Sequence, residues 1–193
     1  MTIEQLAGWS AIVAAVATVV GAVFLGLFFS RGQPWGTWND VASIVLMLAT
    51  IPVAVVIAII EAEQVGPFAL IAAVIGIAGM LAAAASQALL VARVRTYDRL
   101  LPWTLGAGAV VGVWYVLAGI PALTRGLPTG MGIVMILSGL GFIAVSYGFA
   151  RGGERDPAAA LGFAVLGMGS TVFLAYMGLF LLSGKLVVPS WNA

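Results

Sequence analysis

The sequence predicts an all-α integral membrane protein, with six transmembrane helices in one compact bundle joined by short loops. Composition is the first of three observations behind this. Of 193 residues, 63% are hydrophobic and 8% charged, and mean hydropathy is +1.17, outside the range of soluble domains. The second is spacing. The eight basic and seven acidic residues leave six long uncharged runs, at 5–30, 41–60, 64–92, 100–124, 126–150 and 157–184. About 20 apolar residues cross about 30 Å of hydrocarbon, so each run can span a bilayer. The third is the 25 glycines, costly in soluble helices but suited to close packing in membranes. Residues 1–193 therefore read as a single transmembrane domain, with helices at about 7–30, 39–61, 66–92, 102–122, 129–150 and 158–183.

Each element has its own signals. The first helix carries Ala7, Ala11, Ala15, Thr18 and Ala22 on one stripe, a small-residue packing face. Its N-terminus has Glu4 but no basic residue, so it is expected to be retained rather than cleaved as a signal peptide. Pro34 and two glycines break the chain, Trp35 and Trp38 suit the headgroup level, and Asn39 or Thr37 is expected to cap the second helix, with Asp40 in its first turn. Pro52, beside Thr50, predicts a kink that serves packing or gating.

Gly66-Pro67 opens the third helix. One of its faces collects Ala69, Ala72, Gly76, Met80, Ala83, Gln87 and Leu90, and the opposite face Leu70, Ile71, Val74, Ile77, Leu81 and Leu89. The small face should pack inward and the bulky face should meet lipid. Pro102 is expected near the first position of the fourth helix, where Gly108, Gly112, Tyr115 and Gly119 share a face. The fifth carries Ser138, Gly141, Ala144 and Gly148 on one face and Gly132, Gly139 and Ser146 on a second. The sixth has a stripe of Ala160, Ala164, Gly167, Thr171 and Gly178, and Trp191 in the tail could rest at the interface.

Much chemistry is excluded. With no His and no Cys, there is no haem ligation by those residues, no thiolate metal site, no Cys nucleophile, no Ser-His-Asp triad and no disulfide. A net charge of +1 gives no reason to expect a nucleic-acid partner. No charged residue is expected deep in a helix, which argues against a proton-coupled pump and against acid/base catalysis. Asp40, Asp98, Glu154 and Asp156 read as solvated loop charges rather than a metal site, with Asp98 and Asp156 beside Arg99 and Arg155. No catalytic residue, metal or cofactor is expected, and the chain does not read as an enzyme.

The candidate binding residues are the neutral polar groups within the spans: Gln87, Tyr115, Thr171, Thr50 and Ser138, together with Thr18. Converging, they could line a site for a small neutral or lipophilic ligand. Taken singly, each could instead hydrogen-bond a neighbouring helix. Two functions follow. One is a protein that binds or transports such a molecule within the bundle. The other is a non-catalytic accessory subunit of a larger membrane complex, for which the second face of the fifth helix would be the spare contact surface.

Orientation follows from counting Lys and Arg by side. Arg31, Arg93, Arg95, Arg99, Arg151 and Arg155 fall on the side of the first, third and fifth loops, against Arg125 and Lys185 on the other. The positive-inside rule then places loops 31–38, 93–101 and 151–157 in the cytoplasm and both termini outside, in a bacterial-type inner (plasma) membrane. A weak 3+3 inverted repeat is a further reading. At an offset of 91, Val19-Val20-Gly21 matches Val110-Val111-Gly112, and Ala69-Leu70 matches Ala160-Leu161. Such matches also arise by chance in a chain so rich in Ala, Val, Gly and Leu.

Overall fold

The computed structural model describes residues 1–124 and 127–186, apart from the side chain of Glu154. Arg125, Trp191 and the Glu154 carboxylate therefore lie outside the described residues. The described residues form six α-helices: α1 Ile3–Arg31, α2 Trp35–Val65, α3 Pro67–Val91, α4 Tyr97–Ala122, α5 Thr129–Gly152 and α6 Pro157–Leu182. A 3₁₀ turn, Gly153–Arg155, precedes α6. The shortest, α5, has 24 residues and is about 36 Å long at 1.5 Å per residue, so all six are long and apolar enough to cross a membrane.

Several boundaries differ from the expected ones for identifiable reasons. α1 starts at Ile3 because Thr2 and Gln5 form a capping box, each side chain bonding the other's backbone N–H. α2 starts at Trp35, directly after Pro34, and neither Thr37 nor Asn39 caps it. It also runs on to Val65, so Asp40, Glu61 and Glu63 all lie within the helix. α4 starts at Tyr97, which puts Pro102 in its second turn rather than at its first position. Gly66 alone joins α2 to α3, at φ 56° and ψ −134°. This is a backbone conformation that glycine adopts without steric cost, and it reverses the chain in one residue.

Each helix packs on its neighbours in sequence, and α6 closes back on α1. The result is a ring of six helices; among the described residues, only α2 and α4 also touch across it. The α6–α1 closure is tight at the termini end, where a Cβ on Gly8 would stand 2.8 Å from Leu182 Cγ and one on Gly178 2.7 Å from Ile12 Cδ1. The α3 faces are as expected except at Ile77, which is half-buried and packs against the core rather than facing lipid. Ala69, Ala72, Gly76, Met80 and Ala83 are buried, while Leu70, Ile71, Val74, Leu81 and Leu89 are exposed toward lipid. Gly76 lies against Trp114, so that a Cβ there would overlap the indole.

Two expected faces are corrected. The second face of α5 is not spare: Gly132 lies against Gly119 and Ala122, and Gly139 against Gly112. Small residues on α4 and α5 face one another, and the backbones approach closely along both. On α6 the buried stripe is Ala159, Gly162, Ser170, Phe173, Leu174, Met177, Gly178 and Leu181. Of the expected stripe, Ala160 and Ala164 are exposed, and only Gly178 is fully buried. In a helix apolar all round, the bulky residues Phe173, Leu174 and Met177 fill the wide centre of the ring.

Charged groups at the loop end are also rearranged. Asp156 pairs with Arg151 rather than with adjacent Arg155: the guanidinium donates from Nε to Oδ2 at 2.7 Å and from Nη2 to Oδ1 at 3.2 Å. Asp156 also caps α6, accepting from the Ala158 N–H at 2.8 Å. It is buried, not solvated. The hydrogen bond from Arg151, followed by that from Ala158, holds its carboxyl below its ordinary value.

Candidate functional site

The ring is filled at one end and hollow at the other. Toward the termini, Trp114, Tyr115, Phe173, Met80, Met135 and Met177 are almost wholly buried and close the centre. The Tyr115 ring stacks on Phe142 at 5.8 Å and meets Phe173 and Trp114 edge-on at 5.7 and 4.6 Å. Toward the first, third and fifth loops lies a cavity of about 500 Å³ to which all six helices contribute. That is within the range of small-molecule sites.

The cavity has two chemical zones. Its wall is largely aromatic and aliphatic, including Phe28, Phe142, Phe149 and Phe163, the last two meeting edge-on at 5.9 Å. Its polar groups are Thr18 of α1, Gln33 of the first loop, Asn39, Asp40 and Ser43 of α2, and Gln87 of α3, with Tyr97 and Thr104 of α4 and Ser146 of α5 opposite. The last two are already engaged. Thr104 donates to Ser86 Oγ at 3.1 Å, tying α4 to α3, and Ser146 donates to the Leu105 carbonyl at 2.8 Å, tying α5 to α4. Gln87 is not fully engaged, since its Oε1 is buried without a hydrogen-bond partner. A buried amide oxygen left unpaired costs free energy that a ligand donor can recover.

A second opening leads sideways. Between α1 and α6 a groove is lined by Thr18, Ala22, Phe163, Ala164 and Gly167, all of which also line the cavity. Its outer rim of Val19, Val23, Met168 and Val172 is 49–67% exposed on the lipid-facing surface. The groove exists because the side chains here are too short to fill the space between the helices. A Cβ on Gly167 would meet nothing within 4 Å.

Of the residues expected to form a site, the structure places Gln87 and Thr18 on the cavity and Thr171 on the outer groove. Tyr115 belongs to the closed end, where its hydroxyl approaches Ser170. Thr50 and Ser138 are buried and do not line the cavity. Nor do these hydroxyls link helices. Thr18, Thr50, Ser138 and Thr171 each donate to the carbonyl four residues earlier in the same helix, at 2.7–2.9 Å. In hydrocarbon a hydroxyl takes the nearest acceptor, which lies one turn back. The interhelical bonds come instead from Thr104 and Ser146.

Asp40 and Glu61 bear on the expectation that no charged residue lies deep in a helix and that Asp40 is a solvated loop charge: both stand inside α2, at least four residues from its ends. Asp40 lines the cavity. Glu61 is 1% exposed and, among the described residues, its Oε1 has no hydrogen-bond partner. The signal was present in the sequence: Asp40, Met47, Ala54 and Glu61 recur at seven-residue intervals, which places them along one side of a continuous helix. Ending the helix at residues 39 and 61 hid it.

No family model matches the chain, nor does any curated protein or solved structure. What the fold defines is a polytopic membrane protein, a six-helix ring with an internal chamber at one end.

Proposed function

We propose that the protein binds a small lipophilic molecule in this chamber and carries it between the bilayer and the water at the loop end. The observation that carries this is the continuity between a chamber lined by all six helices and a groove open to lipid between α1 and α6. A molecule dissolved in the bilayer reaches the aromatic wall without crossing water. The unpaired Gln87 oxygen supplies one directional contact on arrival. The accessory-subunit reading loses its specific support, because the second small face of α5 is consumed by α4. The loops rich in arginine are assigned to the cytoplasm on the positive-inside rule, which opens the chamber inward and puts the termini outside.

The test is saturable binding of N-phenylnaphthylamine, a neutral lipophilic fluorophore, to purified protein in a non-ionic detergent. Gly167→Phe projects a ring into space that a Cβ does not fill. It is expected to weaken binding about tenfold or more while the thermal midpoint stays near that of wild type. Equal binding by Gly167→Phe and wild type would remove the chamber as the site. Orientation is read by placing a single cysteine at position 2 or 95 of this cysteine-free chain. In intact cells an impermeant thiol reagent should label position 2 and spare position 95.

A further inference from the structure

Asp40 sets a charge preference that an apolar chamber alone would lack. It lines the cavity about 1.4 turns into α2, counting from Trp35 at about 3.6 residues per turn. Among the described residues it makes neither a hydrogen bond nor an ion pair. No Lys or Arg among the described residues lines the chamber, so the carboxylate has no counter-ion there. The same chamber is lined by Phe28, Phe142, Phe149 and Phe163, and aromatic rings carry negative quadrupoles that favour cations. The arginines of the same end, Arg31, Arg93, Arg95 and Arg99, are all exposed and would repel a cation approaching through water. A cation already partitioned into the leaflet avoids them by using the α1–α6 groove.

We infer that the chamber selects lipophilic cations, such as hydrophobic amines or quaternary onium ions, with Asp40 as the counter-charge and the phenyl rings as the cage. This rests on the chamber being the binding site, as proposed above. An unpaired carboxylate facing a cation across a few ångströms in a partly desolvated site is worth at least about tenfold in affinity.

The experiment compares three probes of similar shape. Tetraphenylphosphonium is a cation, triphenylphosphine oxide is neutral and tetraphenylborate is an anion. Each is titrated by calorimetry into the purified protein and also used to displace N-phenylnaphthylamine. Tetraphenylphosphonium is expected to bind at least about tenfold more tightly than the neutral oxide, with tetraphenylborate the weakest. Asp40→Asn should bring the cation-to-neutral ratio close to one, and Asp40→Glu should restore a preference, which separates loss of charge from loss of fold. Equal affinities for cation and neutral probe, a ratio unchanged in Asp40→Asn, or tighter binding of the borate would each overturn the inference while leaving the chamber intact. Failure of all three probes and of the fluorophore would remove the chamber reading itself.

Discussion

A carboxylate with no partner gains nothing from its charge inside a helix bundle. Glu61 is 1% exposed with an oxygen unpaired among the described residues, so its ionised form carries a desolvation cost that no contact among them offsets. Glu61→Gln keeps the shape and removes the charge. The thermal midpoint in detergent is expected to hold or rise, and a clear fall would mean the carboxylate has a partner. Asp156 is the opposite case. Its bonds from Arg151 and Ala158 depress its pKa, so the stability it contributes is present above its unfolded value of about 4. That stability is lost as pH falls through the lower folded value. Wild type should therefore lose thermal stability relative to Asp156→Asn only below about pH 4, measured as the difference between their melting curves across pH. A difference independent of pH would assign Asp156 a role other than its charge. The environment of Asp156 was not legible in the sequence, and that of Glu61 only in its seven-residue spacing from Asp40 through Met47 and Ala54. Asp156 has Arg155 beside it in the chain, but only the 3₁₀ turn brings Arg151 within reach. Asp40 and Glu61 sat at the assumed ends of a helix that in fact runs four residues further each way, so both passed for surface charge.

At the scale of the element, helix identity was legible and helix facing only partly so. Runs without charge mark the spans because nothing in hydrocarbon solvates a charge. Facing was readable in α3, where small and bulky residues segregate, and misleading in α6, where the small stripe borders a gap instead of a contact. The difference is what stands opposite. Gly76 meets Trp114, whereas a Cβ on Gly167 meets nothing within 4 Å. Gly76→Ala should therefore destabilise by about 1–3 kcal/mol, since the nearest atoms are at the rigid root of the indole. Gly167→Ala should be neutral or slightly stabilising, because alanine is the better helix former. Paired unfolding curves decide it, and equal midpoints would mean that Trp114 has room to move. Gly66 marks the α2–α3 junction in a third way. At φ 56° and ψ −134° a side chain is strained whatever the space, so Gly66→Ala should cost on the order of 1–3 kcal/mol.

The whole molecule is asymmetric along the membrane normal, and no single helix encodes that. Short loops showed that neighbours in sequence are neighbours in space, but they do not say that α6 returns to α1 or that the ring is filled at only one end. Both follow from side-chain volumes summed over six helices. Met80, Trp114, Tyr115, Met135 and Phe173 converge toward the termini, while Thr18, Ser43, Ala83 and Gly108 converge toward the loops. The chain has no cysteine, so this asymmetry can be mapped with single substitutions. Ser43→Cys and Ala83→Cys line the chamber and should react with a small water-soluble thiol reagent added from the side of the arginine-rich loops. Ala72→Cys and Ala118→Cys lie in the filled half, at 1% and 2% exposure, and should stay inert from either side until the protein is denatured. A carrier that also delivered its molecule to the termini side would at some time open that way. If ligand brings Ala72→Cys or Ala118→Cys into reach of reagent from the termini side while protecting Ser43→Cys, the ring alternates between two openings. If ligand protects Ser43→Cys and the filled half never reacts, the chamber is a blind site that receives its molecule from the bilayer and releases it at the loop end alone.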